Sequence, residues 1–94
     1  MARRRYLIAY DICEPQRLRQ ICKVMKSYGE RLQYSLFICD LSRSELVHAR
    51  AETEALMKLT EDSLVIVDLG EVNSARFTFV GRHRPLPTNE ARII

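Results

Sequence analysis

At 94 residues, with 47% hydrophobic and 29% charged residues, the chain has room for one domain around one core. No apolar run is long enough to span a membrane, and the run that follows the basic start, Tyr6 to Tyr10, is too short for a signal-peptide core, so the expectation is a cytoplasmic protein. The net charge of +3 is uneven: residues 1–31 hold Arg3, Arg4, Arg5, Arg17, Arg19, Lys23, Lys26 and Arg31 against only Asp11, Glu14 and Glu30, a balance that suits a polyanion such as nucleic acid as well as a plain solvated surface.

Arg5-Tyr6-Leu7-Ile8-Ala9-Tyr10-Asp11 reads as the first strand. Its apolar residues do not alternate with polar ones, so both faces are covered and the strand is central. Asp11 closes it, at the kind of strand end where binding chemistry collects. Pro15 suits a first helical turn, and Leu18, Ile21, Cys22, Met25 and Tyr28 form one apolar stripe of a helix over about 16–28. Arg19, Lys23 and Lys26 share one flank of this helix. Arg17 lies on the other, and Gly29 is the expected stop.

A short strand is expected at 30–33, a tight turn or bulge around Tyr34-Ser35 and a second strand at 36–40. Ser42-Arg43-Ser44-Glu45 is a capping box. It opens a helix that buries Leu46, Ala49, Thr53, Leu56 and Met57. Ser63 to Leu69 is a further apolar strand, Gly70 to Ser74 a turn, and Ala75 to Val80 one more strand. Residues 82–94 form an extended tail, held out of helix by Pro85 and Pro87. Ile93 and Ile94 suggest that its end docks on this subunit or a neighbour.

The order predicts an α+β fold, a ferredoxin-like βαββαβ sandwich with an extra C-terminal strand, as one domain over 1–81 followed by the tail. Two helices cover one face of the sheet. The other face is also apolar, and a second copy is its natural cover. A homodimer is therefore expected, with exchange of the strand at 76–80 or of the tail.

Cys13, Cys22 and Cys39 are odd in number and widely spaced, and read as reduced small hydrophobes. His48 and His83 stand at no zinc-ligand spacing from them. Asp11 has two readings. It caps the following helix, or, near a dimer axis, Asp11 from each subunit shares one magnesium ion that activates water for phosphodiester hydrolysis. Tyr10 belongs to the core or lends its hydroxyl to a site. Arg17, Arg31, Arg19 and Lys23 are candidate phosphate contacts or ordinary surface charges. Phe37 is read as interface packing, with Ser35 placed at the same interface.

Several blocks together resemble the CRISPR-associated protein 2 family, the small partner of the CRISPR-associated protein 1 integrase. They are Tyr10-Asp11-Ile12, Arg17-Leu18-Arg19, Gly29 through Phe37 and Cys39-Asp40-Leu41. The match runs from about Tyr6 to Leu69, and the Gln33-Tyr34-Ser35-Leu36-Phe37 block carries its specificity. The resemblance implies a role in spacer acquisition, with a homodimer that bridges integrase subunits and holds double-stranded DNA. It also implies a magnesium-dependent endonuclease site on RNA or duplex DNA. Asp11 would be the metal ligand and, with Tyr10, catalytic. Arg17, Arg31, Ser35 and Phe37 match positions used around that site, and the C-terminal segment would help dock the integrase.

Other readings on the same fold are a stand-alone VapD-like toxin ribonuclease, a non-catalytic nucleic-acid-binding module and a small-ligand sensor. The Gln33-Tyr34-Ser35 block favours the adaptation protein over the toxin. The chain also lacks the glycine-flanked aromatic strand of common RNA-binding modules.

Overall fold

A computed structural model describes residues 3–87. Its elements are β1 (Arg4–Asp11), α1 (Pro15–Tyr28), β2 (Glu30–Gln33), β3 (Leu36–Leu41), α2 (Arg43–Leu56) and β4 (Ser63–Glu71). The four strands form one sheet in the order β2-β3-β1-β4 with every pairing antiparallel. This is the ferredoxin-like arrangement, and β1 is central as its two-sided apolarity requires.

Each helix starts on a side-chain cap. Glu14, not Asp11, caps α1: its carboxylate accepts from the backbone N–H of Gln16 and Arg17 at 3.0 and 2.8 Å. Ser42 and Glu45 form the expected capping box on α2. The stop at Gly29 has a different cause from a left-handed cap. Its backbone is extended, at φ −162°. A Cβ there would lie 2.4 Å from both Cys39 Sγ and the Ile38 carbonyl oxygen. Glycine is needed because β3 passes so close.

Period-two geometry sends Tyr6, Ile8 and Tyr10 toward the helices, where they pack with Ile21, Met25, Phe37 and Ala49. Phe37 pairs with Ile8 in the register and is fully buried. This corrects its expected place at a subunit interface: it faces the chain's own core.

The second sheet face carries Arg5, Leu7, Ala9 and Asp11. Arg5 and Asp40 are register partners and form a buried ion pair at 2.8 Å. Burial of such a pair is tolerable because both charges are hydrogen-bonded. Arg5 also donates to the Pro87 carbonyl at 3.1 Å, which ties the C-terminal segment across this face. Phe77, Phe79 and His83 stack in series over it, with ring centroids 6.0 and 4.0 Å apart. Within one chain the segment thus covers part of the surface expected to lie under a second copy, and Val65 and Val67 stay exposed.

The extra strand expected at 76–80 is not formed. Its residues carry no regular secondary structure: a strand requires a hydrogen-bonded neighbour, and none is present among the described residues. Residues 91–94, expected to dock, lie outside the described range. No described helix is long and apolar enough to cross a membrane.

Candidate functional site

Asp11 is exposed at the carboxyl end of β1, opposite Ser63 in the register. With Glu14 capping α1, no described residue hydrogen-bonds or ion-pairs with the Asp11 carboxylate. The described residues contain no cluster of three or more His, Cys, Asp or Glu side chains that would hold a metal alone. At this strand end one chain therefore offers a single hard carboxylate without a described partner, Asp11. That donor suits magnesium, which keeps most of its waters and takes one or two carboxylates.

Arg17 is already engaged. Its Nε donates to Asp62 at 2.8 Å, and a second guanidinium nitrogen reaches Glu61 at 3.2 Å. The Asp62 carboxylate also accepts from the backbone N–H of Cys13 at 3.0 Å and of Lys58 at 2.8 Å. The Arg17 guanidinium, with these amides, holds the Asp62 carboxyl far below the usual carboxylate range. This clasp joins the β1–α1 connection to the α2–β4 loop, two residues from Asp11. Sequence reading had no local signal for it, because Asp62 is 45 positions from Arg17.

The remaining candidates converge on the helical side of the sheet. Tyr10, Arg19, Cys22, Lys23, Arg31 and Tyr34 line a cleft of about 290 Å³, with Lys26 on its rim. Arg19, Lys23 and Lys26 are exposed and form no ion pair with a described residue. The cleft is thus strongly cationic, and no acid lines it.

Its floor is built from rings and one guanidinium. Tyr10 is 6% exposed and stacks on Phe37 at 6.2 Å. The Arg31 guanidinium lies 5.8 Å from the Phe37 ring centre and 6.0 Å from that of Tyr34, and it donates to Cys22 Sγ. Two buried polar atoms here, Tyr10 Oη and Arg31 Nε, lack a hydrogen bond of good geometry among the described residues, although the hydroxyl lies beside Cys22 and Arg31. Burial, reinforced by nearby Cys22, raises the Tyr10 phenol well above its ordinary value, against the pull of Arg31. The hydroxyl is therefore protonated at neutral pH and is available as a donor, not as a phenolate base. Ser35 contributes through its backbone: its carbonyl accepts from the Tyr10 N–H at 3.1 Å.

The structure thus gathers Tyr10, Arg19, Lys23 and Arg31 into one cleft above Phe37. It sets Asp11 on the opposite sheet face and Arg17 in the clasp. Tyr34 and Lys26 complete the cleft without having been named as site residues. The shared flank of Arg19, Lys23 and Lys26 was the available signal for Lys26.

A family model described as "CRISPR associated protein Cas2" matches residues 4–76. The CRISPR-associated endoribonuclease Cas2 1 of Rhodospirillum rubrum is 38% identical over 65 residues, covering 69% of this chain and 64% of that protein. The CRISPR-associated endoribonuclease Cas2 2 of Nitrosomonas europaea is 42% identical over 69 residues, covering 73% and 61%. The matched region thus spans a little under two thirds of these curated relatives. Among solved structures, a hypothetical protein from Thermus thermophilus superposes with a TM-score of 0.79 at 32% identity, covering 90% of this chain and 99% of that one. Streptococcus pyogenes Cas2 superposes with a TM-score of 0.74 at 27% identity, covering 82% and 99%.

Proposed function

The chain belongs to the CRISPR-associated protein Cas2 family, and from that premise we propose that it acts as a nucleic-acid-binding homodimer with one metal-dependent phosphodiesterase site shared by its two copies. The observation that carries this reading is the Asp11 carboxylate, exposed and unpartnered among the described residues at the end of the central strand. Each chain supplies one such ligand, and a two-fold axis beside it brings two together. When bound there, magnesium supplies a polarised phosphate oxygen and a water of lowered pKa.

The chain's own residues bind and orient. Arg19, Lys23 and Arg31 attract the phosphate backbone, and Tyr10 donates a hydrogen bond from the cleft floor. The Arg17–Asp62 clasp fixes the loop that follows Asp11. Relatives named as endoribonucleases support RNA as a substrate. Double-stranded DNA, held during spacer acquisition between subunits of the CRISPR-associated protein 1 integrase, is the substrate of the same reading in its assembly form. Residues 82–94 serve as the docking tail in that assembly.

One observation favours holding over cutting. The cationic cleft and Asp11 lie on opposite sheet faces, so nucleic acid can bind without reaching the carboxylate.

The test compares wild type and Asp11→Asn on a single-stranded RNA and a duplex DNA, with magnesium and with a chelator. Magnesium-dependent cleavage lost in the variant supports the phosphodiesterase. Binding without cleavage by either protein leaves the scaffold reading. Equal cleavage by both removes Asp11 from the site.

A further inference from the structure

The proposed nucleic-acid reading leaves the shape of the Tyr10 cleft unexplained. Backbone phosphates need only exposed cations, and Arg19, Lys23 and Lys26 already supply them on the rim. Below that rim is a recess of about 290 Å³. It is too small for a base pair and near the lower end of pockets that hold small ligands. The recess has a wall, a floor and two unsatisfied polar atoms. The wall is Tyr34, an aromatic ring left 71% exposed in the β2–β3 turn. The floor is Tyr10 over Phe37 with the Arg31 guanidinium beside them.

Unsatisfied buried polar groups cost free energy, and native structures rarely keep them without a use. Arg31 Nε can only donate. The Tyr10 hydroxyl, kept protonated by burial, donates as well. A ligand that fits this floor must present acceptor oxygens or ring nitrogens, as a nucleobase edge does. Tyr34 offers a face on which any base can stack, and the rim cations meet the phosphate that follows it.

We propose that the cleft lined by Tyr10, Arg31 and Tyr34 takes a single unpaired nucleotide, base inward and phosphate on Arg19, Lys23 and Lys26. The proposal rests on the nucleic-acid reading and narrows it. The bound form has an unpaired nucleotide, at a frayed or overhanging duplex end or within a single strand. A fully paired blunt duplex engages the rim alone.

The test uses a short duplex with a two-nucleotide single-stranded overhang, carrying 2-aminopurine at the first unpaired position, against the same duplex made blunt. The full chain is expected to bind the overhang more tightly and to change the probe's fluorescence by stacking. Tyr34→Ala should reduce the preference at least about fivefold, the size of a lost base–aromatic stack. Tyr34→Phe should restore it. Cys22 gives a second readout. The overhang oligonucleotide should slow alkylation of Cys22, followed by mass spectrometry of its peptide, more than the blunt duplex does.

Equal affinity for overhang and blunt duplex would overturn the pocket while leaving nucleic-acid binding intact. So would an unchanged preference in Tyr34→Ala, or equal protection of Cys22 by both duplexes. Failure of wild type to bind either duplex would instead remove the nucleic-acid reading on which the pocket depends.

Discussion

Tyr10 and Asp11 are adjacent in the chain and face opposite sides of the sheet, the first 6% exposed over the Phe37 ring and the second at the surface without a described partner. Strand periodicity alone produces this split. Its consequence is that the proposed binding in the cationic cleft and the proposed chemistry at the carboxylate are separable by substitution.

The cations themselves are also distinguishable. Lys23 is free among the described residues, whereas Arg17 is neutralised by Asp62 and Glu61. Lys23→Ala should lower the slope of log affinity against log salt by about one, as for the loss of a phosphate contact. Arg17→Ala should leave that slope nearly unchanged. Fluorescence anisotropy with a labelled duplex over a salt series reads both.

The clasp should show itself in acid. Asp62 has a folded-state pKa depressed below its ordinary value of 3.8. A depressed carboxylate stabilises the fold above the unfolded-state pKa and loses that contribution as pH falls toward the folded one. Wild type should therefore melt above Asp62→Asn at neutral pH, and the gap should close as the pH drops below about 4. Thermal melts across a pH series measure it, and a gap constant down to pH about 2.5 would count against the clasp.

Gly29→Ala tests the close approach of β3. The added methyl meets Cys39 Sγ and the Ile38 carbonyl oxygen at 2.4 Å, and backbone cannot easily move aside. The expected cost is about 1–3 kcal/mol, typical of overpacking, read from the urea midpoint. A neutral result would mean that the helix end and β3 are further apart than described.

Phe37→Ala separates core from interface. A fully buried ring lost from the core should cost about 3–5 kcal/mol. Because Phe37 faces the helices, any direct effect on self-association should be absent once stability is accounted for. Chemical denaturation and sedimentation at several concentrations distinguish the two.

The placement of Phe37 shows where sequence reading ran out. The apolar character of β3 was visible, as was the Tyr34-Ser35 turn before it. Which side Phe37 faces depends on register, and a one-residue slip reverses every side chain. The irregularity between Arg31 and Gln33 adds such a shift to the β2–β3 pairing. Residues 76–80 illustrate the converse. Their alternation suits a strand, but strand formation depends on a free partner edge that no local pattern encodes. Glu14 was missed as a cap because glutamate is not among the preferred cap residues. The central β1, both helices with their apolar stripes and the Ser42 capping box were readable because each rests on local spacing. The Arg17–Asp62 clasp was not, since it joins distant segments. Arg31 and Tyr34 come together in the cleft lined by Tyr10 only when the β2–β3 hairpin folds back beside α1.

The most direct test of the shared site is subunit mixing. Wild type and Asp11→Asn are unfolded together, refolded at varied ratios, and assayed for magnesium-dependent cleavage of single-stranded RNA. If one site requires Asp11 from both copies, activity follows the square of the wild-type fraction and falls to about a quarter at equal mixing. A linear dependence, with about half the activity at equal mixing, would show that each chain acts alone and would contradict the shared-carboxylate account.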